Sequence, residues 1–319
     1  MTRIDAHLHY AGQHPEAIAL LEDLDLKAHN ICIAGYRDSW RQEQQRYRAL
    51  AQAHPRRYAW CTAFDVPGFD DPHYVDRVIE NLAQDFADGA VACKVAKGIG
   101  MRLKDPSGRY FMVDDPLWTP IFEWLAREAR PVVMHVADPI SVWQRPKDPQ
   151  AATEGMTHTH AAPDMPSHAA IIAARDRVLA RHPALRVIGA HIGSQSHDLP
   201  AVAERLDRFD NYAVDTSARL SYIARQDSAK VRQFFLRYAD RILWGSDIVK
   251  TVPADMPDAE RTPLLERLRE IYRHAFLYYE SAGEVPVHER DFRTQGLALP
   301  RDVLERFYAG NAKRWIPGL

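Results

Sequence analysis

Five residues of this chain have the types and placement to hold and use a metal ion. His7 and His9 stand one residue apart in IDAHLHY, His135 precedes Asp138 in PVVMHVADP, His191 lies in LRVIGAHIGS and Asp247 in RILWGSDIV. Imidazole nitrogens and carboxylate oxygens suit zinc and similar divalent ions, and a set of three or four leaves a position open for water. Such an ion lowers the pKa of that water and polarises a carbonyl. A single histidine at a strand end is unremarkable, and an H-x-H near an N-terminus also describes two satisfied or solvated imidazoles. The metal reading gains weight because all five residues fall at the ends of strand-like runs.

Eight such runs can be traced: Arg3–His9, Asn30–Ala34, Tyr58–Phe64, Ala90–Ala96, Val132–Val136, Arg186–Ile192, Tyr212–Thr216 and Arg241–Ile248. Between them lie segments with apolar residues at i, i+3, i+4 and i+7, such as DSWRQEQQRYRALAQAH, YVDRVIENLAQDFA and SHAAIIAARDRVLARH. Alternating strands and helices predict βαβ units, and eight of them predict an α/β fold closed as a (β/α)8 TIM barrel. A helix near Thr262–Glu280 and the terminal LPRDVLERFYAGNAKRWI add C-terminal helices, the last packing across one end of the barrel. No linker or composition break divides the chain, so residues 1–319 read as one domain. Active-site groups of such barrels sit at the C-terminal ends of the strands, where all five residues fall. Strand alternation predicts that Asp5, His7 and His9 share one face, with Ile4, Ala6 and Leu8 on the other. It likewise groups Val187 and Gly189 with His191, and Leu243 and Gly245 with Asp247.

The 41 basic and 43 acidic residues nearly cancel, giving a formal net charge of −2, so no global field recruits nucleic acid or a membrane surface. The expected partner is a small molecule, and self-association into a homo-oligomer stays open. Cys32, Cys61 and Cys93 are an odd, widely spaced set inside apolar runs and read as buried thiols. There is neither a leader-like stretch before Ile4 nor an apolar run of about 18 residues, so the expected location is cytoplasmic.

IDAHLHY, PVVMHVADP, VIGAHIGS, ILWGSDI and FYAGNAKRW together resemble the amidohydrolase superfamily, specifically the amidohydrolase-related branch that includes aminocarboxymuconate semialdehyde decarboxylase and related metal-dependent hydrolases. The resemblance runs in order along nearly the whole chain. It implies that His7, His9, His135 and Asp247 hold one divalent metal, with Zn2+ the expected ion, and that His191 stands beside it. Asp247 would then shuttle a proton, and His191 would orient water or stabilise oxyanion charge.

The fourth run, GAVACKVAKGIGMRL, turns Ala92, Lys94 and Ala96 inward by alternation. For Lys94 we rank an ion pair with the inward Asp215 first, contact with a substrate carboxylate second and a carbamate bridging a second metal third; Lys97 carries less weight. The long segment after His135 reads as a lid carrying Trp143 and Arg145, with His158 and His160 as surface histidines. Arg102, Arg219 and Tyr222 lie on other loops of the same end. Cations over a metal suit an anionic substrate, although arginines bridging loops fit equally well. The expected activity is hydrolysis of a small amide, ester or lactone bearing a carboxylate. The alternatives are metal-dependent decarboxylation of an unsaturated or aromatic acid and, beyond that, a non-catalytic metal-binding barrel.

Overall fold

The computed structural model of the chain describes residues 1–34, 39–144, 164–288 and 291–319. Nine parallel strands form one sheet: β1 (Arg3–Gly12), β2 (Leu26–Ile31), β3 (Tyr58–Ala63), β4 (Ala90–Val95), β5 (Val132–Met134), β6 (Val187–Gly189), β7 (Tyr212–Asp215), β8 (Ile242–Leu243) and β9 (Val249–Val252). Each strand pairs with the next in sequence from β1 to β8, and β9 pairs with the free side of β1. The segment from β8 to β9 closes the barrel, since Ala6 N donates to Trp244 O (3.0 Å), Asp247 N to His7 O (2.8 Å) and His9 N to Ile248 O (2.8 Å).

Each of the eight expected runs overlaps a strand, the second, Asn30–Ala34, only at Asn30 and Ile31. The second starts earlier than its apolar pattern suggested, because Lys27 and His29 interrupt LKAHNI while Leu26 and Ala28 are buried. The eighth breaks after Leu243 and resumes as β9. Helices follow the strands and start on side-chain caps where the sequence supplies them: Ser167, Asp198 and Asp227 accept from the backbone N–H three residues on. The long C-terminal helix runs Asp258–Glu280, four residues earlier than expected, and the irregular stretch after it contains a hairpin, Glu284–Pro286 with Arg293–Gln295.

Burial divides into two layers. One apolar cluster lies between strands and helices; the other fills the barrel, where Ile31, Cys61, Ala92, Val133, Ile188 and Leu243 meet. Ala312, Trp315 and Ile316, at the end of the last helix, join this inner cluster and plug the N-terminal mouth. The three cysteines are free and buried, as expected. No helix among the described residues is long and apolar enough to cross a membrane.

The alternation expected for β1 is overturned. Ile4 and Ala6 belong to the inner cluster and Leu8 to the outer one. Pairing with β2 shifts register between Asp5 and Leu8, and this irregularity lets Ile4 and Ala6 point inward below it and His7 and His9 point inward above it. Asp5 is turned away from the histidines' face, towards Tyr272 of the long helix.

Candidate metal centre

Two residues beyond the inner apolar layer, three of the same strands supply polar groups and β8 leads to a glycine. Ala92 is followed inward by Lys94, Val133 by His135, Ala213 by Asp215 and Leu243 by Gly245. A cavity of about 520 Å3 opens on this layer, its floor formed by His7, His9, Lys94, His135, His191 and Asp247.

Hydrogen-bond partners orient the first two imidazoles. His7 Nδ1 donates to Asp215 Oδ2 (2.8 Å), and His9 Nδ1 donates to Ile31 O (2.7 Å). Both acceptors only accept, so each ring keeps its proton on Nδ1 and leaves a lone pair on Nε2. Those two lone pairs converge on Asp247 Oδ1, at 3.8 Å from His7 Nε2 and 3.4 Å from His9 Nε2. Two ligands of a tetrahedral ion with bonds of about 2.1 Å stand about 3.4 Å apart, so the separations fit a small divalent cation. His7, His9 and Asp247 are a group that can hold a metal, with their ligand atoms all within 4.8 Å of one another.

His135 and His191 form a second pair beside this trio. His135 Nε2 faces Ala137 O at 3.1 Å, and His191 Nδ1 faces Ser217 O at 2.9 Å. With protons on those nitrogens, His135 Nδ1 and His191 Nε2 present lone pairs to one another across 3.1 Å. Two neutral rings repel in that arrangement; a proton or a metal ion between or beside them relieves it.

His191 reaches the cavity by a route that alternation missed. Val187 lies in the outer cluster, so β6 alone would carry His191 away from the site. Instead the chain leaves β6 through four left-handed residues, His191, Ile192, Gly193 and Ser194, with φ of 61°, 55°, 60° and 62°. A β-branched residue such as Ile192 is strained there. The turn is held from behind by the fully buried Arg175, which donates to Gly193 O (2.7 Å) and to the Tyr212 hydroxyl (2.9 Å). Gly189 leaves room for Tyr212 rather than for His191, since a Cβ there would lie 2.1 Å from the phenol oxygen. Gly245 does clear space at the site, where a Cβ would stand 3.1 Å from His7 Cβ. Asp247 also has a left-handed backbone, φ 62°.

Burial pushes the pKa of His7, His135 and His191 down, keeping the rings neutral and able to ligate. Burial alone would raise Asp215 and Asp247, but the imidazoles around them hold both carboxyls well below the usual range, and His7 also donates a hydrogen bond to Asp215. Lys94 is pushed down by burial, against the pull of Asp215 and Asp247.

Lys94 is inward as expected, but its hydrogen bond runs to His7 Nε2 (3.2 Å) instead of forming the expected ion pair with Asp215. The Asp215 carboxylate is taken by His7, by the N–H groups of His191 (2.9 Å) and Ser217 (3.1 Å), and by the Ser217 hydroxyl. Of the five candidate substrate contacts, Lys94 alone lines the cavity. Arg102 is exposed outside it. Trp143 donates to Pro166 O (3.0 Å) and packs on His168, away from the floor. Arg219 is buried with its guanidinium over the Tyr222 ring at 5.1 Å, near enough to depress His191. Arg145, His158 and His160 lie outside the described residues.

Sequence reasoning passed over the opposite wall. Trp40, Glu43 and Arg46 of helix Trp40–Ala53 line the cavity, as does Lys97, which pairs with Asp138. Charges on an amphipathic helix look like an ordinary solvated face, and nothing in their spacing marks them. Ser217, whose hydroxyl also lies near His7 Nδ1 (3.1 Å) and His191 Nδ1 (2.9 Å), carried no signal either.

Comparison with known families decides the lineage. The family model described as amidohydrolase matches residues 4–317. The chain belongs to the amidohydrolase family. No curated protein matches it. Among solved structures, an uncharacterised TIM-barrel protein from Bordetella bronchiseptica is similar at 14% identity, TM-score 0.59, covering 100% of this chain and 99% of that one. A 2,6-dihydroxybenzoate decarboxylase from Rhizobium is similar at 14% identity, TM-score 0.57, covering 99% and 98%. A probable 2-pyrone-4,6-dicarboxylic acid hydrolase from Acinetobacter baumannii, with citric acid bound, is similar at 10% identity, TM-score 0.54, covering 99% of each. At these identities the likeness establishes the barrel and leaves the amidohydrolase's reaction to its own residues.

Proposed function

We propose that this amidohydrolase, acting as one domain over residues 1–319, hydrolyses a small amide, ester or lactone that bears a carboxylate. The observation that carries the reading is Asp247: an ionised carboxylate beside two oriented imidazoles, with 23% of its side chain exposed. His7, His9 and Asp247 would hold one divalent metal, Zn2+ by the chemistry of nitrogen and oxygen donors, and the facing lone pairs of His135 and His191 support His135 as a further ligand. A metal bound there supplies a Lewis acid that activates water and polarises a carbonyl. Asp247 takes the proton from the attacking water and passes it to the leaving group. His191, held at Nδ1 by Ser217 O, presents its Nε2 lone pair where it can orient the attacking water. Arg46 on the wall and Lys94 on the floor favour a substrate with negative charge, while Lys97 is already paired with Asp138.

The test begins with elemental analysis of purified protein. Zn2+-loaded protein is then offered lactones, esters and amides with and without a carboxylate, alongside unsaturated and aromatic acids. Product masses and CO2 are followed together. Gain of one water, with preference for carboxylate-bearing substrates, is the expected result. CO2 release without hydrolysis overturns it in favour of decarboxylation, which the same donors also suit.

A further inference from the structure

The three residues that can hold a metal come from two chain segments that meet only where the barrel closes. His7 and His9 lie on β1, and Asp247 lies on the segment between β8 and β9. Behind this seam sits the carboxyl of Asp5, fully buried and pointing away from the cavity. One of its oxygens accepts from Ser246 N (2.9 Å) and from His7 N (3.3 Å), while the other accepts from the Tyr272 hydroxyl (3.1 Å). The two N–H groups belong to opposite sides of the seam: one to a ligand residue, the other to the residue just before a ligand. The β1 register shift lies between Asp5 and Leu8, so the backbone is least regular where these bonds act. Tyr272 is itself buried, with its ring against Trp244 and Phe276 of the packing behind the sheet.

We propose that Asp5 and Tyr272 are positioning residues for metal binding: the Asp5 carboxyl fixes the distance between the two histidines of β1 and Asp247, and the Tyr272 hydroxyl fixes the carboxyl. The inference rests on the reading that His7, His9 and Asp247 hold a divalent metal. Its physical basis is that donors 3.4 and 3.8 Å apart must keep that spacing without the ion if binding is to be tight. A seam held by backbone bonds alone would have to be reordered by the metal, at a cost in affinity.

The experiment uses full-length protein stripped of metal with a chelator. Zn2+ affinity is measured by competition with a chromophoric chelator, and the visible absorption of Co2+-substituted protein reports coordination geometry. Asp5→Ala is expected to weaken Zn2+ binding by about 10- to 100-fold and to change the Co2+ spectrum, the scale found when a partner behind a ligand is removed. Asp5→Asn keeps an oxygen for the two N–H groups and should restore most of the affinity. Tyr272→Phe keeps the ring packing and should cost about 3- to 10-fold, the range for one hydrogen bond. Trp315→Ala, which loosens the far end of the barrel, serves as a destabilised control and should leave both readouts unchanged. Wild-type affinity and spectrum in folded Asp5→Ala overturn the proposal, as they do in Tyr272→Phe should Asp5→Ala fail to fold. If wild-type protein itself binds neither Zn2+ nor Co2+, the metal reading fails and this inference falls with it; if wild type binds and the variants bind equally, the inference alone fails.

Discussion

At the N-terminal mouth of the barrel, the apolar side chains of Ile4, Ile31, Ala92, Val133 and Leu243 pack against Trp315 and Ile316. At the other mouth, two residues further along three of these strands, stand Lys94, His135 and Gly245, with Asp215 in the same layer on β7. The first end depends on volume and the second on direction. Apolar packing tolerates chemical substitution if space is filled, whereas lone pairs must aim at one point and every buried polar atom needs a partner. A change at one end should therefore alter a property that the same kind of change at the other end leaves alone.

The largest separation is expected from removing donors. His7→Ala combined with His9→Ala should abolish metal binding, read by elemental analysis, while far-ultraviolet circular dichroism stays that of a folded barrel. Stoichiometric metal in the double variant would sink the assignment. Asp247→Asn comes next, since it keeps an oxygen that can ligate but removes the base. Once a substrate is found, turnover should fall by a factor on the order of 100 to 10,000 with much of the metal retained. Full turnover would make Asp247 a ligand only and end its role as proton carrier.

At the apolar end, Trp315→Ala removes a ring that is 5% exposed and opens a cavity beside Ile316. Urea denaturation should show a loss of about 3 to 5 kcal/mol, the usual range for a buried aromatic. The Zn2+ dissociation constant of the folded fraction should not move. A weakened metal site in this variant would mean that the two ends are mechanically coupled and the contrast between them is false.

How far each end could be read from the sequence follows the same division. Apolar runs announced the eight strands, and the end of the fifth placed His135 correctly because β5 keeps a strict period of two through Val133. The period failed where the backbone stops being a strand, at the irregularity between Asp5 and Leu8 and in the left-handed turn that carries His191, whereas Leu243, Gly245 and Asp247 face inward together as expected despite the positive φ of Asp247. Those conformations are held by distant partners such as Arg175, Tyr212 and Tyr272, which no local pattern ties to the site. The right residues were named in spite of wrong geometry, because residue type survives a bulge and the facing direction does not. The cavity wall was illegible for a different reason: Glu43 and Arg46 gain their meaning only from the floor they stand over.

The smallest effect expected concerns pH, and one residue isolates it. His29 lies just inside β2, on the same face as Ile31 of the inner cluster; its Nδ1 bonds Ala6 O at 2.9 Å while its Nε2 is buried without a partner. Burial pushes its pKa down to about 3 from 6.5. The unfolded chain thus binds a proton below about pH 6.5 that the folded chain refuses, so stability is present above that pH and declines as pH falls towards 3. Each pH unit costs about 1.4 kcal/mol for each such group. His7, His135 and His191 act in the same direction. Asp5 opposes them: burial raises it to about 7, so the folded state holds its proton between about 4 and 7 and gains as pH falls. His168, His182, His197 and His288 are also lowered by burial and Asp85 is raised by it, so the histidines outnumber the two aspartates and acidification of the metal-free protein brings a net loss. In His29→Leu the decline between pH 6 and 4 should be shallower by about 1.4 kcal/mol per unit, measured by urea denaturation in the presence of a chelator. An unchanged slope would mean that His29 takes up its proton in the folded state, which requires a hydrogen-bond acceptor or water at Nε2 and would make the inner layer wetter than its apolar neighbours imply.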